Sequence, residues 1–181
     1  MDLFSIKSSL ASMKIIVDTR EQDTDNARRR YSEFGCGYYK GKLEYGDYCF
    51  SFQYPDGKWL FSQEDGLQIN PPVVIERKMN LDELCLCLGK ERKRFEAEME
   101  RAKAQKAKIY LLVENATWEN ALNGKYRSKL NPKALVSSLI AWSIRYNMVP
   151  IFCKAETSGK MIYNILYREL KEYLENLEWG E

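Results

Sequence analysis

The chain contains no histidine in its 181 residues. A Ser-His-Asp triad or a Cys-His pair is therefore impossible. Any general base must be a carboxylate, a lysine, a tyrosine or a metal-bound water. Paired cysteines are missing as well: Cys36, Cys49, Cys85, Cys87 and Cys153 contain no CxxC spacing, whereas structural zinc sites want closely spaced cysteines or histidines. An odd number of thiols in a lysine- and glutamate-rich chain points to buried free cysteines in a reducing, cytoplasmic compartment. No apolar run is long enough to cross a bilayer, so no membrane partner is expected. Residues 1–14 lack the basic start and the apolar core of a signal peptide. Residues 1–12 read as a short leader, ahead of a single domain over 13–181. Excess charge of one sign is also missing. The net charge is only +2, less than expected of a domain that holds DNA by non-specific attraction, so charge permits a local basic patch and no more.

What is present describes a globule. Hydrophobic residues make up 45% and charged residues 30%, and the length suffices for a core without disulfides or metals. Short apolar runs at residues 13–17 (MKIIV), 73–75, 109–113 (IYLLV) and 149–153 read as buried strands. Aromatic-rich stretches at 38–42 and 44–54 have strand composition. The turn Pro55-Asp56-Gly57 suggests a returning arm at 58–61, followed by an irregular connection over 62–70. Helical patterns cover 23–34, 81–88, 91–108, 118–122, 132–146 and 161–177, with Gly89 separating two of them and Pro132 suited to a first helical turn. Strands alternating with amphipathic helices predict one layered α/β domain with no repeat, heptad or linker.

One strand ends unusually. Val73-Val74-Ile75 runs straight into Glu76-Arg77-Lys78, and charge at the end of a core strand suggests chemistry. Side chains two apart on a strand share a face, so Glu76 and Lys78 point together and Arg77 away. Asp47 follows Gly46 in the preceding strand region, where a hairpin would bring it beside Glu76. Asp18 ends the first buried strand, and Asp82 lies in the first turn of the next helix. Carboxylates are the ligands that hard divalent cations want. With a lysine to balance phosphate charge, such a set can hydrolyse a phosphodiester without histidine. Each piece also has a plain reading: Asp47 as a turn residue, Glu76-Arg77-Lys78 as an exposed ion pair, and Asp18 as a helix cap.

Together the pieces resemble the nuclease domain of the XPF family. Its pattern of GD, a gap, ERK, three residues and D is matched by Gly46-Asp47 and by Glu76-Arg77-Lys78 with Asp82. The preceding Val17-Asp18-Thr19-Arg20-Glu21 resembles the family's first strand motif, and Leu111-Leu112-Val113-Glu114 its next core strand. The resemblance spans roughly residues 13–170. It implies a restriction-endonuclease-like three-layer α/β fold, a central mixed sheet flanked by helices. It also implies Mg2+- or Mn2+-dependent cutting of branched DNA. By position, Asp47 and Glu76 would be metal ligands together with the Arg77 carbonyl, Lys78 the catalytic lysine, and Asp18, Arg20, Glu21 and Asp82 supporting residues. The helix-hairpin-helix modules usual in eukaryotic and archaeal members are not expected here, which fits a compact stand-alone version of bacterial or phage type. A fold retained for DNA binding or scaffolding without cleavage is the alternative.

Two basic clusters are candidate phosphate contacts: Arg28, Arg29 and Arg30 in one, Lys90, Arg92, Lys93 and Arg94 in the other. Interleaved glutamates leave a solvated helix face as the competing reading. The broad apolar bands of the last two long helices suggest a homodimer or heterodimer through the C-terminal half, as the resemblance also implies; core packing on one face is the alternative.

Overall fold

The computed structural model describes residues 3–62 and 66–177. Positions 63–65 of the expected irregular connection, residues 1–2 of the leader and residues 178–181 lie outside these. The order of elements is α1 (Leu3–Ala11), β1 (Lys14–Asp18), α2 (Asp25–Ser32), β2 (Gly37–Gly41), β3 (Tyr48–Ser51), β4 (Val73–Lys78), α3 (Leu81–Leu88), α4 (Arg92–Ala104), β5 (Lys108–Glu114), α5 (Trp118–Leu122), α6 (Pro132–Arg145), β6 (Met148–Cys153), a 3-10 turn (Ala155–Thr157) and α7 (Ser158–Glu175).

The strands form one mixed sheet in the order β2-β1-β3-β4-β5-β6. β3 runs antiparallel to both β1 and β4, while β2 is parallel to β1, and β5 and β6 continue parallel to β4. Alternation along each strand sends side chains to two separate cores. Ile16, Cys49, Val74, Ile109, Leu111 and Val113 meet residues of α3, α4, α5 and α6. Ile15, Val17, Phe50, Ile75 and Leu112 meet α1, α2 and α7. The result is the expected three-layer, restriction-endonuclease-like α/β arrangement.

Local signals explain the helix limits. Thr24, Asn80, Thr117 and Asn131 each accept a backbone N–H at the start of α2, α3, α5 and α6, filling a donor that the first turn leaves open. Pro132 opens α6 as expected. α7 buries Ile162, Leu166, Leu170 and Leu174 completely, at steps of four residues, and each burial stabilises by about 1.5–3 kcal/mol.

β2 and β3 follow each other in the chain but are not neighbours in the sheet: β2 crosses to the far side of β1 and pairs there in parallel. The turn at residues 55–57 forms, with Gly57 N–H bonded to the Tyr54 carbonyl at 2.9 Å, and the arm beyond it returns: Tyr54 N–H donates to the Lys58 carbonyl at 2.8 Å, Leu60 N–H to the Phe52 carbonyl at 2.9 Å, and Gln53 bridges Trp59 antiparallel. The leader is largely helical: α1 packs on α7 and buries Ile6.

Candidate active site

The site is built where β3 and β4 meet. Gly46 has φ of +73°, and a Cβ there would stand 2.1 Å from Val74 Cγ2. Only glycine combines that left-handed turn with that closeness. The turn presses the backbone onto β4 and delivers Asp47 between two strands. Asp47 N–H donates to the Ile75 carbonyl at 2.9 Å, and its own carbonyl accepts from Asp18 N–H at 2.8 Å. One carboxylate oxygen, Oδ2, then accepts the Arg77 N–H at 2.7 Å.

On β4, Glu76 and Lys78 share a face as the two-residue period requires, and Lys78 Nζ lies 2.5 Å from Glu76 Oε1. Both are buried. Burial and the neighbouring Glu76 charge hold the Asp47 carboxyl well above the ordinary carboxylate range. Burial also raises Glu76; Lys78 opposes that and Glu98 adds to it. Burial alone would lower Lys78, but Glu76, Cys87 and Asp47 raise it further, so its ammonium stays charged at neutral pH. Lys78 Nζ also stands 5.0 Å over the Phe95 ring.

Two clefts share this centre. One, of about 470 Å³, extends past Glu21, Arg29, Arg77 and Asn115; the other, of about 330 Å³, extends toward Arg94, Phe95, Glu98 and Arg101. Arg20, Asp47 and Lys78 line both. Arg20 is mostly exposed, and its Nε is held by Asp18 Oδ1 at 2.6 Å.

The structure brings Asp47, Glu76 and Lys78 together and spreads the rest around them. Asp18 is buried, and its carboxylate is occupied by Leu43 N–H, Arg20 N–H and Arg20 Nε. Arg77 turns to the opposite face and meets Glu21 and Glu114. Asp82 points elsewhere, accepting the backbone N–H of Arg127 and Ser128 at 2.7 and 2.8 Å and so tying down their loop. Arg28 and Arg29 are exposed, with Arg28 paired to Asp23 and Asp25. Arg30 is the correction in that cluster: it is buried, with its guanidinium bonded to Glu114, Ser158 and Tyr48, and it does not face solvent as a phosphate contact would. In the second cluster Lys90, Lys93 and Arg94 are exposed, while Arg92 lies over the Trp142 ring.

Glu98 escaped the sequence. It sits on α4, lines the second cleft, and its Oε1 accepts the Gly46 N–H at 2.9 Å. Its place in a run of alternating charges gave no signal, because the partner lies 52 residues away.

Among the described residues no group of three or more His, Cys, Asp or Glu side chains could hold a metal by itself. The donor set is Asp47 and Glu76. Two crowded carboxylates held above their usual range nonetheless suit a hard dication, since Mg2+ is commonly held by one or two carboxylates with water and substrate phosphate completing the shell.

A mixed six-stranded sheet between two helical layers, with acidic and lysine side chains at one strand junction, defines a restriction-endonuclease-like domain. The chain belongs to the ERCC4 domain family, which it matches over residues 17–165. Among solved structures it is similar to XPF from Aeropyrum pernix, at 17% identity and a TM-score of 0.58 over 90% of this chain and 69% of that one. It is also similar to XPF from Aeropyrum pernix in complex with DNA, at 16% identity and a TM-score of 0.57 over 93% and 68%. No curated protein matches the chain.

Proposed function

We propose that this domain, over residues 13–181, is a Mg2+- or Mn2+-dependent DNA endonuclease that selects branched substrates such as flaps and forks. The observation that carries the reading is the convergence of Asp47, Glu76 and Lys78 where two open clefts meet, Asp47 and Lys78 lining both and Glu76 one of them. Family membership and the fold shared with a DNA-bound relative support it.

In this reading Asp47, Glu76 and the Arg77 carbonyl hold the cation. The metal, when bound, neutralises phosphate charge and acidifies water. Lys78, kept protonated by Glu76, does not act as the base; it orients the attacking water and balances charge on the phosphate. Asp18 fixes Arg20 where the clefts meet, and Asp82 anchors the loop around Arg127. The exposed Arg28, Arg29, Lys90, Lys93 and Arg94 hold phosphates flanking the cut. Arg92 stays with them in sequence but is partly engaged by Trp142.

The deciding experiment incubates pure protein with labelled flap, fork, four-way and linear DNA, with and without Mn2+, beside Asp47→Asn. Expected is metal-dependent nicking of branched DNA that Asp47→Asn reduces at least tenfold, given the several kcal/mol a catalytic metal contributes. Tight fork binding with no nicking at any metal concentration identifies a non-cleaving DNA-binding or scaffold module instead. EDTA-resistant nicking refutes the metal assignment.

A further inference from the structure

Behind β4, on the face away from Glu76 and Lys78, lies a second set of charges that the proposed cleavage does not use directly. Arg77 Nε donates to Glu21 Oε1 at 3.3 Å and Arg77 Nη1 to Glu114 Oε2 at 3.2 Å. The other oxygen of Glu114 accepts from Arg30 Nε at 3.2 Å. Arg30 Nη1 donates to Tyr48 Oη at 3.1 Å, and Tyr48 Oη donates to Glu21 Oε1 at 2.9 Å. The bonds close a ring through Arg77, Glu114, Arg30, Tyr48 and Glu21. Its members come from β4, β5, α2, β3 and the loop after β1.

Two guanidiniums and two carboxylates balance, so the ring carries no surplus charge with which to hold a phosphate. Arg30 and Glu114 are only 5% and 4% exposed. A buried ion network of this kind is weak as a stabiliser, because well-packed apolar residues often serve as well. Its physical consequence here is geometric. Arg77 joins the ring to the candidate site through a hydrogen bond: its side chain is clamped from behind while its N–H holds Asp47 Oδ2 at 2.7 Å.

We propose that Glu114 and Arg30 are positioning residues, which fix Arg77 and through its backbone set the metal-binding geometry of Asp47. The inference rests on the reading of Asp47 and Glu76 as the cation site. Partners behind metal ligands commonly contribute ten- to a hundredfold to affinity.

The test compares wild type with two charge-balanced variants, Glu114→Met/Arg30→Met and Glu114→Gln/Arg30→Met. Mn2+ affinity is measured by calorimetry well below the unfolding midpoint, with the midpoint and DNA cleavage recorded alongside. Expected for the double methionine variant is a midpoint close to wild type and Mn2+ affinity about tenfold weaker. The glutamine variant, which keeps an acceptor for Arg77, loses an intermediate amount. A folded double methionine variant whose Mn2+ affinity is within twofold of wild type overturns the inference. If that variant does not fold, the glutamine variant decides, and affinity within twofold again overturns it. Wild type that binds Mn2+ without cutting DNA refutes the proposed function while leaving the inference readable from affinity. Wild type with no affinity for Mn2+ overturns both.

Discussion

Asp47 carries its negative charge in a place that opposes it. Burial and Glu76 raise its carboxyl above the ordinary range, so the folded chain binds this proton more tightly than the unfolded chain does. The resulting stability is present at low pH and is lost as pH rises through the folded value. In metal-free protein Asp47→Asn removes that loss while keeping an acceptor for Arg77 N–H. The expected outcome is a higher melting temperature than wild type in EDTA at pH 7–8, by about 2–4 °C for each kcal/mol relieved, with the gain shrinking toward pH 4. A scan across pH checks it, and a variant that melts lower than wild type at every pH contradicts the electrostatic account. Lys78→Ala separates a second role: cleavage should fall by at least tenfold, because charge balance at the phosphate is lost, while Mn2+ affinity should persist because the ligands remain. Equal loss of affinity in Lys78→Ala and Asp47→Asn would deny Lys78 that role. At this scale the sequence exposed what period and order encode. Glu76 and Lys78 were placed on one face by the two-residue repeat of a strand. Arg30 and Glu98 were not legible, because what decides their roles is a partner 84 or 52 residues away.

Elements were legible wherever a capping residue or glycine marks them. α5 runs from Trp118 to Leu122 and α6 from Pro132 to Arg145, close to the 118–122 and 132–146 read from the sequence with Pro132 as a first-turn signal. The position of β2 was not legible, because no local feature states on which side of β1 a parallel partner will lie. The Gly46 turn is the element on which the candidate site depends most. Gly46→Ala adds a methyl group against Val74 and forces a non-glycine residue to φ of +73°. The expected loss is about 1–3 kcal/mol from overpacking, with added backbone strain and a sharp fall in Mn2+ affinity from displaced Asp47. Chemical denaturation and calorimetry measure the two, and an unchanged midpoint would show that the β3–β4 junction yields freely. The start of α4 is a separate case. Neutralising Lys90 and Lys93 touches exposed side chains and should leave the fold intact. It should weaken binding to every DNA shape and lower the salt slope by about 0.9 for each phosphate contact removed. Binding unchanged at low and high salt would assign both lysines to a solvated helix face.

For the whole molecule, the question is which apolar surface the fold leaves over. The sequence suggested both α6 and α7, whose apolar bands are wide. The structure covers the band of α7 from within: Ile162, Leu166, Leu170 and Leu174 are fully buried, α1 packs against the helix, and Tyr163, Tyr167 and Tyr173 are half-buried at its margins. Among the described residues of the C-terminal half, the exposed large apolar side chains are Leu122 on α5, Ile140 and Ile144 on α6 and Val149 on β6, with Ile144 the most exposed at 81%. β6 is an edge strand, and Pro150 within it removes one donor from that edge, which discourages strand-to-strand pairing and favours a contact through the helix instead. If copies pair in solution, α6 is therefore where the contact falls. Pairing would let two copies engage one branched substrate, each contact adding its attraction to the other's and offsetting a net charge of only +2. Ile140→Glu/Ile144→Glu is expected to keep the monomer's stability within about 0.5 kcal/mol, as surface changes do. The same variant should abolish concentration-dependent self-association in light scattering and slow cleavage of forks more than of linear DNA. Leu170→Glu should instead unfold the chain, because it places a charge in the core between α7 and the sheet. A wild type that remains monomeric at high micromolar concentration, free and on DNA, would remove the homodimer and leave α6 for an unlike partner.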